Sequence, residues 1–404
     1  MDTAASIFIE IWGVVDYEKE IAGMDTLRQR IQAHMETICM KFGSRHCGAP
    51  GEKQTGDYIE QCFRELGLDV ITEQFPARGW RFEDFELYNV SQGCPVPGAT
   101  ACYFSGAVDI EDTPLILTES HIQNLEQQPV KNRLCFVTAL GMALHYNVIA
   151  EKLEALGAAG AVFVSKATDL APNTKTVRSP MISRMGTAAV SMAGAYHMMK
   201  HMGDAYRMRI RAESFDTHTR NIIARMGSGE CKGVIGAHYD AAPLIQGAND
   251  NASGTAMLLE LARLLQKEKL PLTLDFVAFS AEEYMMGDCP VGSKAYLDRH
   301  AQENIRWYFN CDSCCDYFGT TTLGIGLGEA LPKLVSKYPA EKRTGGGDNK
   351  TFCENGIPSV WLRTDQGFDL LHTAQDTLDK LDYSLIADKC SNMYDSIQQL
   401  IRNN

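Results

Sequence analysis

The chain has 404 residues, of which 45% are hydrophobic and 22% are charged, and its formal net charge at pH 7 is −13. This length predicts one large domain with a second module, and the composition is that of an ordinary globular protein. The acidic balance argues against a nucleic-acid partner, which would require a basic surface. No run of about 18 apolar residues occurs, which argues against a membrane-spanning helix.

The N-terminus and the cysteines bear on where the protein is located. The apolar run SIFIEIWGVV has no basic segment before it and contains Glu10, a pattern that does not fit a secretory signal peptide. The thirteen cysteines follow no scaffold spacing, which favours reduced thiols. We therefore expect a cytoplasmic protein, with secretion as the alternative. The oligomeric state is left open.

The first predicted elements are two amphipathic helices. One covers residues 25–40 with Asp25 as its N-cap. The other lies in the stretch 55–70, where Gly67 ends it. The segment VITEQFPARG then indicates an edge strand, because proline cannot donate to a neighbouring strand. Glycine, proline and serine become frequent near residue 92, which indicates a domain boundary.

Residues 233–284 carry the densest set of chemically active side chains. The apolar run at 233–238 predicts a buried parallel strand, and a polar loop separates it from a helix that Asn251 and Ser253 can cap. A second strand is predicted over residues 272–279. Because the carboxyl ends of parallel strands meet at one edge of an open sheet, we expect the side chains that follow these strands to lie together.

The side chains at this edge are one histidine and several carboxylates, namely His238, Asp240, Asp250, Glu282 and Glu283. Carboxylates crowded together repel one another unless a positive group holds them. Histidine combined with carboxylates suits zinc better than magnesium or calcium. The sequence therefore predicts a metal site, and zinc is the preferred ion.

Five segments in order give the chain a specific resemblance. They are His238-Tyr239-Asp240, the stretch GANDNASG over 247–254, Glu282-Glu283, Asn310-Cys311-Asp312, and His372 before Asp376-Thr377. Together they resemble the M28 family of zinc aminopeptidases in its di-zinc form. The resemblance implies an α/β fold, in which a three-layer α/β/α peptidase domain surrounds a central mixed, mostly parallel sheet.

The resemblance also implies two zinc ions per chain. One would be held by His238 and Asp312, and the other by Glu283 and His372. Asp250 would bridge both ions, a position that requires a carboxylate. Each ion would then keep room for a shared water molecule, as catalytic zinc does.

Two further residues receive catalytic roles from the resemblance. Glu282 would be the general base that takes a proton from the metal-activated water and passes it to the leaving amine. Asp240 would accept the ring N–H of His238 and fix its tautomer. The implied activity is that of a zinc-dependent exopeptidase that hydrolyses the N-terminal peptide bond of peptides.

The segment GAAGAVFV (157–164) and its strand–helix–strand setting resemble a protease-associated domain. This implies a smaller α/β domain over residues 92–214, inserted into a discontinuous peptidase domain made of residues 1–91 and 215–404. Such signals are common in α/β proteins. The insert would cover the cleft, restrict substrate size or support dimerisation.

Some features depart from the family pattern and leave alternatives open. The segment YMMGDCPVGS replaces a shorter link after Glu283, and Gly347 and Asn349 replace the usual neighbours of Asp348. A carboxypeptidase or dipeptidase of the same fold stays open because carboxypeptidase relatives share this ligand set and also carry such an insert. A non-catalytic binding protein is less favoured because every metal ligand is present. The CxxC around Asp312 indicates small buried side chains rather than a redox pair.

Overall fold

The computed structural model describes residues 14–139, 146–165, 171–182, 184–286, 289–315, 320–328, 334, 336–365 and 370–402. The α-helices are α1 (Val14–Glu36), α2 (Pro50–Glu65), α3 (Glu119–Gln123), α4 (Tyr146–Ala155), α5 (Met192–Lys200), α6 (Gly254–Leu265), α7 (Val291–His300), α8 (Gly347–Glu354) and α9 (Tyr383–Arg402). The π-helical turn Thr37–Lys41 extends α1.

The strands are β1 (Asp69–Asn89), β2 (Cys94–Pro95), β3 (Ala99–Ala101), β4 (Val108–Asp112), β5 (Leu115–Leu117), β6 (Leu134–Val137), β7 (Gly160–Val164), β8 (Gly186–Val190), β9 (Tyr206–Met226), β10 (Lys232–His238), β11 (Thr273–Phe279), β12 (Met285–Met286), β13 (Cys289–Pro290), β14 (Ile305–Cys311), β15 (Thr320–Gly326), β16 (Ala340–Lys342) and β17 (Ser359–Asp365).

The larger sheet is mixed, and its centre is parallel. Its strand order is β16-β15-β17-β14-β10-β11-β9-β1-β2, and β4 also pairs with β9. Strands β17, β14, β10 and β11 run parallel to one another, whereas β15 is antiparallel on one side and β9 is antiparallel on the other. The α/β class with a central mixed sheet is thereby confirmed.

Helices cover both faces of this sheet because side chains alternate along its strands. Ile235 of β10 belongs to a core cluster with residues of α1, α2, α6 and α9. Val234, the residue before it, packs with Tyr296 of α7 and Phe352 of α8 on the opposite face. The strands therefore lie between two helical layers, which is the expected three-layer arrangement.

The residues between β1 and β9 build a second sheet, with the strand order β3-β8-β7-β6-β5. The long strands β1 and β9 pair with each other from Asp69 and Arg225 to Asn89 and Tyr206, and they connect the two sheets. The expected boundary at residue 214 lies within β9. The assignment of residues 92–214 to a protease-associated domain stays a prediction.

Several local expectations can be compared with the structure. The first helix begins by Val14, so Asp25 lies inside α1 and its predicted role as an N-cap was wrong. The second helix begins at Pro50 rather than at residue 55, because proline is favoured in the first turn, where its missing N–H costs nothing. It ends before Gly67, whose φ is 74°, as predicted.

The loop that precedes α6 was only partly predicted. The Oδ1 atom of Asn251 accepts a hydrogen bond of 2.9 Å from the Gly254 amide, so Asn251 caps the helix. Ser253 makes no such bond, and its hydroxyl instead donates to the Asn249 carbonyl at 2.7 Å. Its predicted capping role was therefore wrong.

The cysteines around Asp312 agree with the expectation of small buried side chains. All thirteen cysteines are free. Burial raises the pKa of the Cys311 and Cys314 thiols well above the ordinary value, which fits inert core side chains rather than a redox pair. In the described part of the chain, no helix is both long enough and apolar enough to cross a membrane.

Substitution of Gly254, the first residue of α6, tests how closely this helix meets the end of β14. A Cβ atom at Gly254 would lie 2.1 Å from the Cys311 carbonyl oxygen. Because that neighbour is backbone, Gly254→Ala should lower the free energy of unfolding by about 2–3 kcal/mol.

Gly23→Ala is the matched control, since a Cβ atom there would meet nothing within 4 Å. That variant should gain up to about 1 kcal/mol from helix propensity. Denaturant unfolding of both variants measures the difference, and a Gly254→Ala protein as stable as the parent would contradict the packing described.

Candidate metal centre

The predicted metal ligands meet at one edge of the larger sheet. His238 is the last residue of β10, and Asp312 follows β14 directly. The Nε2 atom of His238 lies 3.0 Å from Oδ1 of Asp250 and 3.6 Å from Oδ1 of Asp312. The Nε2 atom of His372 lies 2.7 Å from Oδ2 of Asp250 and 3.5 Å from Oε2 of Glu283. The structure thus brings all five side chains together.

Asp250 is the centre of this arrangement because its two oxygens face different imidazoles. Burial by itself would raise the pKa of this carboxyl, but hydrogen bonds with His238 and His372 hold the pKa well below its usual range. The peptide bond between Asp250 and Asn251 is cis. A carboxylate with two separately directed oxygens is what a bridging ligand between two cations requires.

Glu282 lies in the same cleft but outside the imidazole–carboxylate pairs. Its carboxyl is buried, and burial raises its pKa. A Cβ atom at Gly347 would lie 2.4 Å from Oε1 of Glu282 and 3.9 Å from Oδ2 of Asp312. Gly347 also has a φ of 55°, which few other residues adopt. The family departure noted at Gly347 therefore leaves space for the Glu282 carboxylate.

Asp240 organises the Glu282–Glu283 pair as well as the histidine. Its Oδ1 and Oδ2 atoms accept hydrogen bonds of 3.1 Å from the amides of Glu282 and Glu283. The Nδ1 atom of His238 lies 3.4 Å from the Asp240 carboxylate and 3.1 Å from the Asp240 carbonyl oxygen. Both groups of Asp240 therefore contact the His238 ring, and the carboxylate also fixes the loop after β11.

The loops that carry the ligands adopt a conformation that side chains usually avoid. Ala281, Ser313 and His372 have φ values of 57°, 51° and 59°. Each such residue costs about 1 kcal/mol or more and persists only where surrounding contacts hold it. Because each lies beside or at a predicted site residue, the tertiary structure rather than local sequence preference places these loops.

Two residues without a predicted role hold the loop between β10 and α6. Asp376 accepts hydrogen bonds from the amides of Asn249 at 2.7 Å and Asp250 at 3.1 Å, and burial raises its pKa to about 7. The Arg45 guanidinium donates to the carbonyls of Gln246 at 2.7 Å and Gly247 at 2.8 Å. Asp376 lay within a segment that carried the resemblance, whereas the sequence analysis assigned no role to Arg45.

A lysine from the region of the second sheet also enters the site. The Nζ atom of Lys175 contacts Oε2 of Glu283 and lies 3.1 Å from Nε2 of His372. The lysine side chain is only 5% exposed. Asn173 is beside it, with Nδ2 lying 3.4 Å from Nδ1 of His372. These contacts could not be predicted from the sequence, because nearly two hundred residues separate the asparagine and the lysine from His372.

The charges of the site fit a divalent cation. Ligand atoms of His238, Asp250 and Glu283 all lie within 4.8 Å of one another. Burial and the Asp250 charge raise the pKa of Glu283 to about 8 even though Lys175 contacts it. The Lys175 ammonium group therefore does not offset the burial of Glu283 and its repulsion by Asp250. Imidazole and carboxylate donors in this arrangement match the ligands that zinc takes in proteins.

Comparisons with known proteins agree with this geometry. Residues 221–396 match Peptidase family M28. Aminopeptidase YwaD of Bacillus subtilis (strain 168) is 25% identical over 374 residues, which cover 84% of this chain and 77% of that protein. The probable lipoprotein aminopeptidase LpqL of Mycobacterium tuberculosis is 26% identical over 289 residues. That match covers 67% of this chain but only 55% of the relative, so the chain spans about half of its length.

Solved structures show the same fold. The zinc aminopeptidase BSAP of Bacillus subtilis superposes with a TM-score of 0.73 at 20% identity, covering 92% of this chain and 94% of that one. The aminopeptidase of Aneurinibacillus sp. strain AM-1 gives a TM-score of 0.69 at 19% identity and covers 92% and 93% of the two chains. Both comparisons extend over almost the whole chain.

The raised pKa of Glu283 predicts how the stability of the metal-free protein depends on pH. With a pKa of about 8 against an ordinary value of 4.5, the native carboxyl holds a proton that the unfolded chain releases. The free energy of unfolding should therefore fall as the pH rises towards 8. Burial lowers the pKa of His372 from 6.5 to about 4. This histidine therefore opposes the fall in stability only below about pH 6.5, where the unfolded chain binds a proton that the native imidazole does not.

Between about pH 6.5 and pH 8 we expect a loss of about 1–2 kcal/mol from Glu283. Denaturant unfolding of chelator-treated protein across this range measures it. The Glu283→Gln variant should show a flatter profile. A free energy of unfolding that rises over this range in the metal-free parent would contradict the buried, uncompensated carboxyl.

Proposed function

We propose that the chain, of which residues 221–396 match peptidase family M28, is a zinc-dependent aminopeptidase that hydrolyses the N-terminal peptide bond of peptides. The observation that carries this proposal is the position of Asp250, whose two oxygens face the imidazoles of His238 and His372. The aminopeptidases among its relatives support the reaction class. The zinc aminopeptidase among the proteins of similar fold supports the choice of ion.

The proposed centre holds two zinc ions per chain. His238 and Asp312 would bind one, Glu283 and His372 would bind the other, and Asp250 would bind both. Bound zinc supplies a water molecule with a pKa near neutrality and polarises a peptide carbonyl. The remaining steps belong to side chains of this protein.

Glu282 is proposed as the general base. Its carboxyl lies in the cleft next to Asp312. Burial raises the pKa of this carboxyl, so that the pKa comes closer to the range of an efficient proton acceptor. It would take a proton from the attacking water and deliver it to the nitrogen of the leaving peptide. Because Gly347 has no side chain, the Glu282 carboxylate has space at this position.

Asp240 and Asp376 are proposed as positioning residues. Asp240 holds the amides of both glutamates, and Asp376 holds the amide of Asp250. Neither carboxylate needs to touch a substrate for this task. Their hydrogen bonds fix the distance between the base and the bridging ligand, which controls the alignment of the reacting atoms.

Peptide libraries with defined termini test the reaction. One library has free N-termini and a matched library has acetylated N-termini, and each is incubated with the protein, with chelator, and with chelator followed by zinc. We expect cleavage of the free N-termini only, its loss with chelator and its return with zinc. Cleavage of the acetylated peptides from their C-termini would instead indicate a carboxypeptidase, and no turnover of either library would contradict a peptidase.

Replacement of the proposed base should separate chemistry from metal binding. Glu282→Gln removes the proton acceptor but leaves the proposed ligands in place, so kcat should fall by about 10²–10⁴-fold while the zinc content is unchanged. Exposed Glu83 offers the control, and Glu83→Gln should retain full activity. An active Glu282→Gln enzyme would exclude this residue as the base.

The space at Gly347 can be tested in the same assay. A side chain there would displace Oε1 of Glu282, since the Cβ atom would lie 2.4 Å away. Gly347→Ala should therefore lower kcat by about 10–100-fold through misalignment of the base. At neighbouring Gly346 a Cβ atom would meet nothing within 4 Å, so Gly346→Ala should leave kcat unchanged. Equal kcat values in the two variants would contradict the close approach.

A further inference from the structure

We propose that Lys175 is a resident cation of the second metal position, and that a divalent ion enters this position only when the lysine ammonium leaves it. The inference rests on the two-metal centre of the proposed function. Its basis is that Nζ of Lys175 contacts Glu283 and lies 3.1 Å from Nε2 of His372. These are the two terminal ligands assigned to the second ion.

The ammonium group and a metal ion cannot share these ligands. Zinc binds imidazole nitrogen and carboxylate oxygen at about 2.0–2.2 Å. An ion bound to Glu283 and His372 would therefore lie almost in contact with the Nζ atom of Lys175. Two positive charges at such a separation in a buried site repel strongly. Occupation of this position by the lysine and by the metal is therefore mutually exclusive.

The backbone of Lys175 is fixed, so the exchange requires only its side chain to move. The Lys175 amide donates to Oδ1 of Asn173 at 2.7 Å, and the Thr176 hydroxyl donates to the Asn173 carbonyl at 2.6 Å. The Thr174 amide donates to the His372 carbonyl at 2.9 Å. These bonds hold the segment against the loop of His372. The four-carbon stem of the lysine can still rotate its charged end away from the metal position.

The described residues place no such competitor at the first metal position. In the described part of the chain, no lysine or arginine forms an ion pair with Asp250 or Asp312, whose charged partners are the imidazoles of His238 and His372. The two positions should therefore differ in affinity. The apparent affinity of the second is reduced by the fraction of molecules in which Lys175 is bound, whereas the first binds without this penalty.

Zinc titration of the full-length metal-free protein against a chromophoric chelator tests the competition. In Lys175→Met, the second ion should bind at least about tenfold more tightly than in the parent, with little change for the first ion. Lys175→Arg retains a positive charge, so the zinc affinity of the second position should stay as low as in the parent. Exposed Lys200 provides the control, and Lys200→Met should match the parent. Identical affinities of both ions in the parent and in Lys175→Met would overturn the proposal.

Amine labelling of the unaltered protein gives a readout that does not depend on a variant that folds. Lys175 is buried in the site, so an acylating reagent should modify it slowly in the metal-free protein and at least about tenfold faster at saturating zinc, as judged by peptide mass spectrometry. Lys200 should be labelled equally in both states. Unchanged labelling of Lys175 after both ions bind would also overturn the proposal.

The titration distinguishes failure of this inference from failure of the proposed function. If the parent binds two ions and Lys175→Met changes neither affinity, the two-metal centre is supported and the competition with Lys175 is wrong. If neither the parent nor any variant binds zinc, the proposed zinc-dependent function itself is wrong. A parent that binds one ion and a Lys175→Met variant that binds two would support the competition in its strongest form.

Discussion

Buried negative charge at the carboxyl edge of the larger sheet is the constraint on which the rest of this structure depends. Asp250, Glu283 and Asp312 lie within reach of two imidazoles and away from bulk water. Carboxylates in such a setting keep their charge only when cations compensate it. The raised pKa of Glu283, at about 8, shows that the protein groups alone do not compensate it fully. A site of this kind is built for positive charge from outside the chain.

The fold meets this constraint through two kinds of support. The parallel centre of the sheet brings the predicted ligands from the ends of adjacent strands to one cleft. Hydrogen bonds from buried groups such as Asp240, Asp376 and Arg45 then hold loops whose backbone would not adopt this shape unaided. The region of the second sheet adds the contacts of Asn173 and Lys175 with the site. Both sheets therefore contribute to the charge balance of one centre.

The sequence predicted the fold class and which side chains meet at the site, because both depend on patterns along the chain. Apolar runs followed by His238 or Asp312 indicated strands that end at the site, and the order of the segments gave the resemblance to peptidase family M28. Other features depend on contacts between distant segments. The space beside Gly347 becomes visible only when Glu282 is placed against it. In the same way, Lys175 has no pattern around it and gains its role from the packing of the second sheet. The wrong N-cap at Asp25 had a simpler cause, since the helix that contains it begins earlier.

The most direct test of this account is a crystal structure of the protein with zinc. Anomalous scattering at the zinc edge then locates each ion. The account predicts two peaks on either side of Asp250, one beside His238 and Asp312 and the other beside Glu283 and His372, with the Lys175 side chain turned away from the second. Crystals with zinc that show no peak between these residues, or peaks only at other places on the protein, would contradict it.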